Sequence, residues 1–426
     1  MDQVTILPFV DFQHDALAVF DDVEQGIVLK EDVWVSAYHV GQSLVNGKIG
    51  VSVREGGGVD MTSREGVEVE RVSKTNFLVT VPSLSISNLP VRFPRQVVNL
   101  PYTKATNVSP ELHVNSIDYS DKSGQLVVGG TDGYAVVVSP TDPKALVELK
   151  GHVGDVLHVE WFPSGEVVLT ASSDLSVRIF SSQTGINPRT LRGHTRAITA
   201  THIVGVGRQV LSASKDGTVR LWDVGKGEEV KQWNVYPGKF IDAMVVVEDA
   251  RGLRALGVDS EDEHVILAAT PDGTVSAFAL SSDSGSPALF TSRALVDSRL
   301  ECIAYSPATG LIATGHTNGT IVVRNMDTLL AAPGAIEDVP PLIVRRNVGP
   351  VFSLVFVDHA SGDDTDLLVG TSAGLPCRLG LAVDGATITP TVKEEYAGWE
   401  AVSVETWAVA SDGVWCAGGE GGVRRY

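Results

Sequence analysis

Residue types able to do chemistry recur at fixed spacing in the middle of this 426-residue chain: His194, Ser212, Ser214, Asp216 and Trp222. One repeat earlier stand His152, Asp174 and Phe180, and the step from histidine to aspartate is the same in both copies. A histidine beside a hydroxyl and a carboxylate is the constellation of a nucleophilic hydrolase. An enzyme gathers such groups once, in one pocket, whereas here they return with the repeat. The donor and acceptor inventory gives them a structural use. The carboxylate accepts, the imidazole both donates and accepts, the hydroxyl bridges, and the indole N–H only donates. Such a chain ties the loop leading into a sheet to its second and third strands. Phe180 has no N–H to reach Ser172 or Ser173, so the earlier copy is incomplete. No catalytic residue is expected.

Other motifs fail on spacing. GQSLVNGK (41–48) has five residues between its glycines, and Ile49 stands where a phosphate loop needs Ser or Thr. The acidic runs Asp259, Glu261, Asp262, Glu263 and Asp363, Asp364, Asp366 lack calcium-loop spacing. Both read as solvated loops between the first and second strands of a sheet. Cys302, Cys377 and Cys416 form no Cys-x-x-Cys pair, which excludes a zinc ribbon or disulfide scaffold and fits a reducing compartment. No metal or other cofactor is expected.

The elements that position these residues are short and apolar, separated by glycine turns. LKGHVGDVLHVEWFPSGEVVLTASSDLSVRIF (149–180) aligns without a gap up to its turn with LRGHTRAITATHIVGVGRQVLSASKDGTVRLWD (191–223). Weaker copies flank the pair and put turn positions at Asp132, Asp174, Asp216, Asp272, Asn318, Ala373 and Glu420. Their spacing is close to the roughly 40–50 residues of one four-stranded propeller blade. The sequence therefore predicts an all-β chain: a seven-bladed WD40-type β-propeller over 96–426, preceded by a small, mostly β domain over 1–95. One short helix is expected near Asp15–Phe20, and a linker from Leu89-Pro90 to Phe93-Pro94. The last copy ends after its third strand, so QVVNLPYT (96–103) is expected to complete blade seven and protect its open edge.

The chain carries 33 Lys+Arg against 52 Asp+Glu, a net charge of −19. That balance argues against a nucleic-acid or anionic-membrane partner, which needs a basic face. The opening residues lack the basic start of a secretory signal, and no stretch approaches a membrane span. A monomeric protein of the cytoplasm, and of the nucleus as well, is expected.

The paired blades are WD repeats, and their wording is specific. HVEWFPSGEVVLTASSDLSVRIF, then GINPRTLRGHTRAIT and GRQVLSASKDGTVRLWD, resembles the proteasomal ATPase-associated factor family across 149–223. That resemblance implies a non-enzymatic assembly chaperone. Such a protein binds the C-terminal domain of a proteasomal ATPase subunit and orders assembly of the proteasome regulatory particle. The acidic charge suits a basic face on that partner. The positions leading into the blades read as His113, Asp155, Ala197, Lys239, Arg299, Pro350 and Ala401. The nearby partner-binding candidates are Asp155, Asp242, Glu301 and Glu400, with Phe240, Phe352 and Trp399 as apolar anchors. The competing reading is a WD-repeat substrate receptor of a ubiquitin ligase, or a scaffold of another complex. No adaptor-binding helix is evident in 1–95.

Overall fold

A computed structural model describes residues 4–101, 112–235, 239–260, 263–329, 340–359, 364–384 and 387–426. Among them, seven sheets are each built on four antiparallel strands, consecutive in sequence in six and completed by a distant strand in the seventh, and their first strands contact one another in a closed ring. The first strands are Val114–Ser120, Val156–Trp161, Ile198–Val204, Ala243–Val247, Leu300–Ser306, Val351–Asp358 and Val404–Ala410, which define blades one to seven. The first strand of blade seven contacts that of blade one, so the ring closes. Each sheet buries both faces against its neighbours, which is why second strands such as Val265–Ala269 and Leu311–His316 are buried along their whole length.

Closure follows the chain ends. Gln96–Asn99 pairs antiparallel with Gly422–Arg425, setting Val98 opposite Val423, and both residues are fully buried. The sealing strand is shorter than the 96–103 run expected, and positions 102 and 103 lie outside the described residues. Tyr426 is buried beside Tyr396, its hydroxyl donating to the Ala397 carbonyl at 2.7 Å.

The amino-terminal region forms a four-stranded sheet of Phe9–Phe12, Lys30–Tyr38, Val45–Val53 and Val59–Arg64. The helix Ala16–Glu24 packs against it through Ala16, Val19, Phe20 and Val23. Two other pieces join the propeller. Val4–Ile6 runs parallel to the outer strand of blade five, Leu342–Arg345. Ile86–Arg92 runs parallel to the end of blade six's outer strand, Thr387–Tyr396, and carries Asn76–Val81 and Glu68–Arg71 with it. The stretch expected as a linker is therefore sheet and core: Leu89 faces Val79 across the ladder, and Leu89, Val91 and Phe93 are buried. A buried Arg346–Glu395 pair sits under this junction, and the same Glu395 oxygen accepts the Val10 N–H at 3.2 Å. No helix among the described residues is long and apolar enough to cross a membrane.

Candidate functional site

The recurrent polar residues make the chain their types allow. In blade three the Trp222 indole donates to Ser212 Oγ at 2.8 Å. His194 Nε2 lies 2.8 Å from the same oxygen, and Nδ1 lies 2.9 Å from Asp216 Oδ2. An indole only donates and a carboxylate only accepts, so the imidazole proton is on Nδ1 and the serine hydroxyl donates to Nε2. Burial pushes the Asp216 carboxyl up, but hydrogen bonds from His194, Thr218 and the Thr195 N–H outweigh it and hold the group below the ordinary range. Ser214 acts separately. Its hydroxyl donates to the Arg196 carbonyl at 3.0 Å and accepts the Asp216 N–H.

Blade two corrects the serine assignment. His152 meets Asp174 at 2.9 Å, but its other nitrogen meets Thr170, at 2.7 Å, rather than Ser172 or Ser173. Thr170 is the counterpart of Ser212, and Ser172, like Ser214, closes the leading loop on the Gly154 carbonyl. In blade five His316 takes over that closing role, with Nδ1 3.2 Å from the Ser298 carbonyl. These groups are enclosed within blades and present no reacting atom to solvent.

The GQSLVNGK segment leads into a strand, Val45–Val53, so no helix N-terminus is available for phosphate. Asp364 and Asp366 lie on the second strand of blade six rather than in a loop. Asp366 is buried, 3.0 Å from His359 Nε2. Glu261, Asp262 and Asp363 lie outside the described residues. Among the described residues no cluster of three or more metal-ligating side chains is suited to an ion.

The open site is the channel mouth. Its cavity, of about 540 Å³, is bordered by Asp242, Arg299, Glu301, Phe352, Glu405 and Lys215, among others. Its construction is regular. Each first strand is led by a buried apolar residue: Val114, Val156, Ile198, Ile241, Leu300, Val351 or Val404. In six blades the ladder register slips at the next residue, which leaves Asn115, Leu157, Thr199, Glu301, Phe352 and Glu405 unpaired at a bulge. A bulge re-aims its extra residue, and here all six border the cavity. Blade four has Asp242 at the equivalent place.

Two expected leading positions shift as a result. The residue after each second strand donates its N–H to the leading carbonyl, which identifies His113, Asp155, Ala197, Arg299, Pro350 and Ser403. Ser403 replaces Ala401, and in blade four the step before Ile241 is Phe240, not Lys239. Blade four lacks the marker bond because Pro271 has no N–H. The error in blade seven concealed Glu405, which pairs with His113 at 3.2 Å.

The proposed contact residues separate. Arg299 Nη2 lies 3.1 Å from Asp242 and its Nε 3.2 Å from Glu301. Burial raises both carboxyls above the ordinary range, with Arg299 opposing the effect. Phe352 borders the same cavity. Asp155 is on the rim, accepting the Asp132 N–H at 3.0 Å and so joining blades one and two. Phe240 is 37% exposed, under the Arg196 guanidinium. Glu400 is exposed outside the mouth, 3.7 Å from His14 Nε2. Trp399 is only 5% exposed and is covered by Arg424, 3.9 Å from its ring centre. Its ring is core, and the reading of Trp399 as a surface anchor is corrected.

Known proteins resemble parts of this chain. The WD domain, G-beta repeat, matches residues 143–181 and 185–223. The 26S proteasome regulatory subunit RPN14 of Saccharomyces cerevisiae is 37% identical over 110 residues, 26% of each chain. Eukaryotic translation initiation factor 3 subunit I of Schizosaccharomyces pombe is 25% identical over 181 residues, 41% of this chain and 51% of that one. Apoptotic protease-activating factor 1 of Danio rerio is 28% identical over 122 residues, 28% of this chain and 10% of that one. The chain thus spans between a tenth and about half of these relatives' own lengths. With the repeat matches falling on blades two and three, the chain is a WD-repeat β-propeller.

Proposed function

We propose that this chain is a non-enzymatic assembly chaperone that binds the C-terminal domain of a proteasomal ATPase subunit. Holding that domain would keep the subunit from engaging the proteasome core before the regulatory particle is ordered. The observation that carries this reading is the similarity, 37% over 110 residues, to a regulatory subunit of the 26S proteasome. The channel mouth supports it with Asp242, Glu301 and Glu405 set around Phe352, a surface able to take a basic side chain beside an apolar one. The polar chains of blades two and three are internal ties, which fits a binding role better than catalysis.

The competing reading, a substrate receptor of a ubiquitin ligase, needs an adaptor-binding element in residues 1–95. The helix there, Ala16–Glu24, is buried along one face against its own sheet. Affinity purification of the full chain, with identification of the bound proteins, separates the two. Proteasomal ATPase subunits are expected. Recovery of ligase adaptors without any ATPase subunit would overturn the proposal.

A further inference from the structure

The charge of this acidic chain is unevenly placed. Residues 149–223 carry eight Lys+Arg against six Asp+Glu, while the remainder carries 25 against 46. Three of those six carboxylates are already engaged inside the blades. Asp174 and Asp216 hold the two histidines, and Glu160 accepts the Ile203 N–H at 3.2 Å from its place between blades two and three. With blade three's fourth strand, Glu228–Asn234, included, residues 149–234 carry ten Lys+Arg against eight Asp+Glu, so blades two and three are net positive in an acidic chain.

That charge concentrates where the outer part of blade two meets its leading loop. Arg178 lies on the third strand, Ser176–Ser181, and Arg192 ends the fourth, Arg189–Arg192, directly opposite Ser176. Both lie close enough to His152 for their charges to add to burial in lowering its pKa. Among the described residues neither side chain has an ion-pair or hydrogen-bond partner, and the buried Nε of Arg178 is left without an acceptor. Blade three shows what is missing. Arg220 occupies the place of Arg178 but donates to Glu229 at 2.6 Å, whereas blade two supplies no such carboxylate.

The position of Arg178 is built rather than accidental. Its guanidinium lies over Gly151, where a Cβ would fall 2.4 Å from Nη1, and Gly151 has a φ of +142°. A side chain at 151 would push the guanidinium away, so the loop leaves room for it. Two arginines on the same face of paired strands, one with an orphaned N–H, lack only acceptors that match their forked donors.

We propose that Arg178 and Arg192 form a binding notch for the carboxylates of an acidic peptide segment, separate from the channel mouth. The ligand is a short carboxylate-rich stretch rather than a nucleic acid, because a long phosphate chain would run onto the acidic remainder of the surface. The occupant supplies to Arg178 what Glu229 supplies to Arg220 from within the chain.

The test uses the full chain and a labelled hexaglutamate peptide, followed by fluorescence anisotropy at low salt. Saturable binding is expected, weakened at least about tenfold by Arg178→Gln with Arg192→Gln. Arg208→Gln with Lys226→Gln, which removes equal charge from blade three, should change it less than about twofold. Arg178→Lys preserves charge and stem while losing the fork, and should weaken binding about threefold, which guards against misfolding of the double variant. Equal losses in the two double variants would overturn the notch in favour of diffuse attraction. So would tighter binding of a hexanucleotide, or no saturation by about 1 mM peptide.

Discussion

Trp222 and Ser212 are joined by a hydrogen bond of 2.8 Å, and that bond completes a chain from the third strand of blade three back to His194 and Asp216. Phe180 stands at the tryptophan's place in blade two and is fully buried there, so a phenyl ring fits. Trp222→Phe is therefore expected to destabilise the protein by about 1–3 kcal/mol, chiefly through the lost donor. His194→Ala should be worse, because it removes a partner from both Ser212 and Asp216. Chemical denaturation of the two variants measures this, and an unchanged Trp222→Phe midpoint would contradict the chain.

Blade two carries a second local weakness. Leu175 has a φ of +69° in the turn after Asp174, where blade three has Gly217 at +84°. A left-handed leucine is strained, and glycine is not. Leu175→Gly should raise stability by up to about 1 kcal/mol, since relief of strain exceeds the added freedom of the unfolded chain. A lower melting temperature would show that leucine's contacts outweigh its backbone.

Between blades one, two and three, carboxylates cap backbone N–H groups of the next blade. Asp118 accepts the Trp161 N–H at 2.7 Å, and Glu160 accepts that of Ile203. Burial raises Asp118 to about 6 and Glu160 to about 7. In the window between the unfolded and folded pKa values the folded state holds more protons, so stability falls as pH rises through it. For Glu160 that window runs from 4.5 to about 7. Glu160→Gln should flatten this fall and gain about 1–3 kcal/mol at pH 8 relative to pH 4.5. Melting curves across that range provide the check, and an unchanged slope would contradict it.

The amino-terminal region is stitched to the propeller by Val4–Ile6, Ile86–Arg92 and the Val10 contact to Glu395. Removal of residues 1–95 should lower the melting temperature yet leave a cooperative transition, because the sealing strand remains. Removal of 1–101 also takes Gln96–Asn99 and should abolish that transition. Equal melting of the two truncations would show that Val98 does not hold blade seven.

The sequence made the blades legible because turn dipeptides and apolar strands repeat with one period. It placed Gln96 at the seam because a three-stranded last copy needs a partner. The hydrogen-bonded chain was readable from donor chemistry alone, except that Thr170 was passed over for Ser172. Both are hydroxyls, and only strand register separates them. The channel mouth was harder to see. Its side chains are turned inward by bulges, and a bulge leaves no mark in residue type. Counting one residue past each buried apolar leader would have found Glu405. Trp399 misled because its exposure is set by Arg424, which arrives only with the last strand of the chain.

The central claim is tested most directly by titrating the full chain with purified C-terminal domains of the proteasomal ATPase subunits. One domain should bind saturably. Glu301→Lys with Glu405→Lys should weaken it about tenfold at low salt, without lowering the melting temperature, and the difference should shrink as salt screens the charges. Asp259→Lys, in a loop at the opposite end of blade four, should leave binding unchanged. If no ATPase domain bound, or if Asp259→Lys lost binding while the double variant kept it, the proposed partner or the proposed face would be contradicted.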